Sequence, residues 1–172
     1  MSMYFKTGDI CSSNCQYICH QVNCQGKMNS GVAKAIREKW PIVYDKYVDW
    51  QMSYEAWAHT AATNEERINE LLGIAMLGRT LQVPVSENQT VINLAAQLDY
   101  GYDKKRYTSY DAFWMCLGEI LKTVPKGSSI AFPARIGCVR GGANWDVILT
   151  MIDTVLEPHY EIYIYNLEGD SM

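Results

Sequence analysis

A nearly continuous run of apolar and aromatic residues at 17–22 passes into a glycine-bearing loop at 23–30 and then into a helical pattern from Ser30. This strand–loop–helix unit constrains the fold more than any other part of the chain. A strand without polar alternation belongs inside a sheet covered on both faces, and the residues at 3–5 read as a second strand of central or near-central position. After Ser30, Val32, Ala33, Ile36 and Trp40 recur at helical spacing, while Lys34, Arg37, Glu38 and Lys39 fill the other face. Pro41 ends or kinks that helix. A second short helix is expected over 42–52 and a third over 64–72, the latter opened by Thr63 or Asn64 with Glu65 and Glu66 in its first turn. Residues 52–63 carry a mixed pattern that fits no element.

Beyond Gly73, extended segments are expected at 81–85, 91–95 and 129–133, with a polar turn at 86–89 between the first two. Helices follow at 109–121 and 145–156 on their apolar stripes, and 160–165 closes the chain as a strand. Strands alternating with helices predict a single α/β domain spanning 1–172, a three-layer α/β/α sandwich with a mixed or mostly parallel sheet. Ligands of such sheets sit off the carboxyl ends of the strands.

Composition sets the remaining bounds. The net charge of −4 argues against a dedicated nucleic-acid surface, so an anionic ligand has to be held locally. The apolar runs at 90–96 and 130–133 are too short to cross a bilayer. Six cysteines, at 11, 15, 19, 24, 116 and 138, with no leader pattern before them, predict a reducing cytoplasmic setting. The spacing of Cys11, Cys15, Cys19 and Cys24 does not form paired C-x-x-C knuckles, and a strand through 16–23 would spread their side chains. Buried thiols are expected there in place of a zinc site.

Two loops carry the chemistry. In the first, Gly26 and Gly31 permit backbone geometry and close approach that a Cβ would block, and the helix start offers free N–H groups and a positive dipole end. It lacks the Gly-Lys-Ser/Thr of a Walker loop and the spacing of a dinucleotide fingerprint. The second, at 133–145, again leaves a strand, crosses Gly137, Gly141 and Gly142, and enters a helix. Together the two loops form a cleft whose amides can cradle a diphosphate from both sides.

The residues Gly8-Asp9-Ile10, the run HQVNCQGKMNSGVAK at 20–34, NLAAQ at 93–97 and IGCVRGGANW at 136–145 resemble, in this order, the macrodomain family. Within it the chain is similar to the small stand-alone yeast-type ADP-ribose-1''-phosphate phosphatases, which occur also in bacteria and phages. The resemblance implies a three-layer α/β/α fold that binds ADP-ribose, with no metal and no redox cofactor. It places Asp9 on the adenine amino group with the Ile10 backbone against the ring, Asn23 on the distal ribose, and the N–H groups of Gly31, Val32 and Ala33 on the phosphates. Arg135, Ile136, Gly137, Cys138, Val139, Arg140, Gly141 and Gly142 would clamp the other side.

His20 matches the histidine three residues before the loop asparagine in the phosphatase pattern, and a neutral imidazole suits proton transfer near pH 7. Strict alternation puts His20 and Asn23 on opposite faces, so both line a cleft only where the strand ends or bulges between them. A buried core histidine is the competing reading. Asp99 is the candidate partner carboxylate, giving a catalytic set of His20, Asn23 and Asp99, although a solvated loop acid explains Asp99 as well.

Two positions depart from the glycohydrolase subclass that releases ADP-ribose from glutamate or from thymine in DNA. Gln97 and Leu98 stand where that subclass has a lysine, and Gly141 where it can have an aspartate. Lys104-Lys105-Arg106 reads as a solvated basic loop or a phosphate contact, and Tyr100, Tyr102, Tyr107 and Tyr110 as a wall of the distal site or as edge packing. The expected activity is hydrolysis of the terminal phosphate of ADP-ribose-1''-phosphate. The alternatives are a non-catalytic ADP-ribose module and a mono-ADP-ribosyl hydrolase, with ADP-ribosylated protein as a further partner.

Overall fold

The computed structural model describes residues 2–103 and 105–167. Six strands form one sheet: β1 (Met3–Thr7), β2 (Tyr17–Asn23), β3 (Thr80–Ser86), β4 (Gln89–Gln97), β5 (Ser129–Pro133) and β6 (Glu161–Asn166). Their order across the sheet is β1-β6-β5-β2-β4-β3. All neighbouring pairs are parallel except β3 with β4, so the sheet is mixed, as expected.

Helices α1 (Gly31–Lys39), α2 (Pro41–Ala61) and α3 (Glu65–Met76) cover one face, and α4 (Tyr110–Thr123) and α5 (Trp145–Val155) the other. Strand alternation divides the core accordingly. Ile18, Val22, Val91 and Ala95 pack toward α1, α2 and α3, whereas Cys19, Ile92, Leu94 and Ala96 pack toward α4 and α5. The three layers predicted from the alternation of elements are therefore present.

Two sequence expectations are corrected, the place of β1 and the length of the second helix. β1 is an edge strand, not a central one: it pairs only with β6 and leaves Tyr4 and Phe5 exposed. Pro41 stops α1 and opens α2, where its missing N–H costs nothing in the first turn. The second helix then runs through the unplaced 52–61 stretch for 21 residues in all. Its buried positions are Val43, Tyr47, Gln51 and Ala58, and two polar groups in that stripe hide it from a reading of hydrophobic periodicity. The third helix begins as expected, with Asn64 accepting from Arg67 N, and continues to Met76.

Cys19 faces the core opposite to that of Cys11, Cys15 and Cys24, and the six cysteines are unbridged. Among the described residues no group of three or more histidine, cysteine or acidic side chains is placed to hold a metal ion, and no helix is long and apolar enough to cross a membrane.

Candidate functional site

β2 and β5 are neighbours at the sheet's centre, yet their paired register covers only Tyr17 with Ile130 and Ile18 with Ala131. Connections leave these two strands in opposite directions across the sheet, β2 toward β4 and β5 toward β6. This is the topological switch point at which open α/β sheets admit ligands. Above it lies a cleft lined by His20 to Asn23, the start of α1, Tyr100 to Tyr102 and the 133–141 loop. Among the described residues its charged lining side chains are Lys27, Arg135 and Arg140, with no carboxylate.

The first loop is shaped by side chains. Asn23 Oδ1 accepts from Gln25 N at 3.0 Å and Lys27 N at 3.3 Å, and its Nδ2 donates to Lys27 O at 3.0 Å. The Tyr47 hydroxyl lies 2.6 Å from Asn23 O and accepts from Gly26 N at 3.1 Å, while Gln51 Nε2 donates to Cys24 O at 3.1 Å. The polar residues buried in α2 thus hold the loop. Asn23 lines the cleft as a loop organiser, with one Nδ2 hydrogen left for a ligand. The loop delivers Gly31, Val32 and Ala33 to the cleft as the first turn of α1, where backbone N–H groups have no partner within the helix.

The second loop is built by main-chain contact. Gly141 O accepts from Tyr107 N at 2.7 Å and Thr108 N at 3.0 Å, and Gly137 O from Ala143 N at 3.0 Å. Arg135 adopts a left-handed backbone with φ of 60°, unusual for a residue with a side chain and not foreseen from the sequence. The Arg140 guanidinium stacks 4.4 Å from the Tyr102 ring, joining this loop to the 98–108 segment at the rim.

The β2–β4 register shifts at Val22/Asn23, where Ala96 of β4 is passed over, and His20 and Asn23 both line the cleft at the strand's end. His20 is only 1% exposed, and its Nε2 lies 2.5 Å from Asn93 Oδ1. Burial pulls its imidazole down to about 4, against a smaller upward pull from Asn93, so the ring is neutral at pH 7. The partner of His20 is accordingly Asn93 and not Asp99. Asp99 is exposed, accepts from Tyr100 N at 2.8 Å and is not part of the lining.

Other predicted site residues also lie outside the lining. Asp9 sits beyond the carboxyl end of β1, on the same sheet edge, where its Oδ1 accepts from Cys11 N at 2.9 Å and caps a short turn that buries Ile10. Cys138 is half-buried, and burial pushes its thiol up to about 11. Gly142 packs against the main chain of Lys105 and Arg106. Lys105 and Arg106 stay exposed outside the lining, and Lys104 lies outside the described residues. Ile136, Gly137, Val139 and Gly141 line the cleft as expected.

Sequence reasoning assigned no role to Asn93, Gln21, Tyr47 or Thr108. Asn93 and Tyr47 carried a signal, a polar group within an otherwise apolar strand or stripe. Thr108 carried none.

No protein-family model and no curated protein matches the sequence. Solved structures do. A protein of unknown function from Bacteroides thetaiotaomicron is 25% identical with a TM-score of 0.76, over 96% of this chain and 98% of that one. A macrodomain protein from Streptomyces coelicolor is 21% identical with a TM-score of 0.70, over 95% and 98%. Thermosipho africanus DarTG in complex with ADP-ribose is 16% identical with a TM-score of 0.73, over 100% of this chain and 43% of that one. The chain has the macrodomain fold.

Proposed function

We propose that the cleft binds ADP-ribose, with its diphosphate between the α1 N-terminus and the 134–141 loop. The observation that carries this reading is the cleft's lining, which among the described residues holds three cations, no carboxylate, and the helix-start amides of Gly31, Val32 and Ala33, on a chain of net charge −4. Local positive potential and helix-start N–H groups select a diphosphate without a general basic surface. Two structures of similar fold, from Thermosipho africanus and Trypanosoma brucei, are complexes with ADP-ribose, which supports the same ligand here. Asp9 and Ile10, on the same sheet edge, are proposed for the adenine end. Calorimetric titration with ADP-ribose tests the reading: saturable one-to-one binding is expected, and no heat at millimolar ligand overturns it.

Within that ligand class, we infer hydrolysis of the terminal phosphate of ADP-ribose-1''-phosphate, as in the yeast-type subgroup the sequence resembles. The supporting observation is His20, a neutral imidazole in the lining with a nitrogen that has no hydrogen-bond partner. Such a nitrogen can take a proton from an attacking water. Asp99, outside the lining, has no place in this scheme. Phosphate release followed by malachite green should fall to background in His20→Ala; undiminished release removes His20 from the chemistry, and none from the wild type leaves a binding module. De-ADP-ribosylation has less support, since the Gln97 amide is committed to Gln21 and to Asp99 O, and Gly141 has no space for a side chain.

A further inference from the structure

The sheet has two edges, and they are finished differently. On β3, Thr80 N donates to Glu119 Oε2 at 2.6 Å, Pro84 has no N–H to offer, and the register with β4 shifts between Pro84 and Ser86. Proline and a bulge keep an edge from pairing with another chain.

β1 has no proline and no shift in register. Ser2 O accepts from Ile162 N at 2.9 Å and Gly8 N donates to Asn166 O at 2.7 Å, so the even-numbered residues turn their main chain toward β6. By alternation the N–H and C=O groups of Met3, Phe5 and Thr7 point away from the sheet. No strand of the described residues lies beyond them, and the side chains from Tyr4 to Thr7 are all exposed. Tyr4 stacks on Tyr163 with ring centroids 4.9 Å apart, and Lys6 Nζ lies 5.9 Å from the same ring, on the sheet face of α1 to α3. Phe5 shares the other face with Met3, which packs against the core of α4 and α5.

The outward groups restrict what can pair with this edge. Two copies of β1 meeting antiparallel about a two-fold axis must set odd residues against odd, because only those present their main chain. With the axis at Phe5, Met3 faces the partner's Thr7, Phe5 faces its own copy and Thr7 faces the partner's Met3, each pair exchanging two hydrogen bonds. Moving the axis to Lys6 would put two lysines directly opposite one another, and moving it to Tyr4 would carry the pairing of Thr7 outside the strand.

We propose that β1 is a dimer interface, at which a second copy of this chain adds its own β1 antiparallel about Phe5 and joins two six-stranded sheets into one. The charges agree with this occupant. Lys6 meets the partner's Tyr4, a ring like the Tyr163 ring it already lies over, and no like charges stand opposed. On the other face the two Phe5 rings meet across the axis and leave water together. Because the paired strands run in opposite directions, the carboxyl ends of the two sheets point away from each other, and neither cleft covers the other. A five-residue edge is small beside the ~1,600 Å² of stable interfaces, so the dimer dissociates on dilution.

Sedimentation equilibrium of the wild type up to about 1 mM, the range of weak association, tests the surface without any ligand. The mass should rise with concentration from one chain toward two; a single-chain mass throughout overturns the proposal. Phe5→Lys sets like charges on the axis and should weaken association at least ~10-fold, with the fold kept by circular dichroism. Association of wild-type strength in this folded variant assigns the dimer to another surface and overturns the proposal.

The register is read by oxidising variants with one added cysteine. Facing Cα atoms in an antiparallel pair lie within disulfide reach, so Phe5→Cys should give a covalent dimer above the wild-type level, reversed by thiol, and Tyr4→Cys and Lys6→Cys should give less. Equal cross-linking at all three positions, or more at Tyr4→Cys or Lys6→Cys, overturns the axis at Phe5. Should Phe5→Lys not fold, the cysteine variants decide.

Discussion

The two glycine loops read alike in sequence, each leaving a central strand and entering a helix, but they use their glycines in opposite ways. At Gly31 the backbone takes φ of 61°, and a Cβ there would meet nothing within 4 Å. At Gly141 a Cβ would lie 2.2 Å from Thr108 Oγ1 and 2.4 Å from Gly137 O, and at Gly142 2.6 Å from Lys105 O. The first loop keeps an open space at the helix start and is held by the side chains of Asn23, Tyr47 and Gln51. The second closes on itself and on the 105–108 segment through its main chain. A glycine beside open space leaves room for a ligand, whereas a crowded one lets two stretches of protein meet.

The largest effect is expected at the crowded loop. Gly141→Asp, which restores the acid of the glycohydrolase pattern, forces a Cβ into main-chain atoms and should cost about 3 kcal/mol or more in chemical denaturation, without creating hydrolase activity. Wild-type stability in that variant would mean the loop has slack and would end the contrast. Gly31→Glu should instead leave a folded protein, weakened by the ~1–2 kcal/mol of a left-handed residue with a side chain, and lower ADP-ribose affinity at least ~100-fold, about 2.7 kcal/mol, by placing bulk and negative charge against the phosphates. Titration beside a denaturation curve separates the two losses, and unchanged affinity refutes the phosphate position. The smallest effect belongs to Tyr47→Phe. Losing the hydroxyl between Asn23 O and Gly26 N should cost about 1–2 kcal/mol of stability and reduce affinity a few-fold. Equal binding by this variant would show that the first loop keeps its shape without its α2 anchor.

What was legible in the sequence is what depends on near neighbours. The β2 run, the glycines at its exit, Pro41 between two helices and the Asn64 cap all act within a few residues, and each falls where the pattern puts it. The length of α2 was hidden because Tyr47 and Gln51 face inward to serve the loop at 23–27, a contact that lies more than twenty residues back in the chain. β1 read as central because composition reports apolar character and not the number of neighbours a strand has.

The candidate site divides along the same line. Gly31, Val32, Ala33, Ile136, Gly137 and Gly141 belong to the loops themselves, and they line the cleft. Asp99 follows β4 closely in sequence, yet its carboxylate turns to Tyr100 N while the His20 ring is taken by Asn93. Asp9 caps its own turn beyond the lining.

By itself the sequence determined that strands and helices alternate, that two strand exits carry glycine, and that the histidine and the loop asparagine are three residues apart. Those properties come from local conformational preference and from the period of apolar residues. Only the tertiary structure decided that β2 and β5 part after two residue pairs at the cleft, that His20 and Asn23 both line it, and that Asn93 and Thr108 hold the side chains of His20 and Gln21. Each of these outcomes follows from strand order and from hydrogen bonds between residues about seventy or more positions apart, which no window along the chain contains.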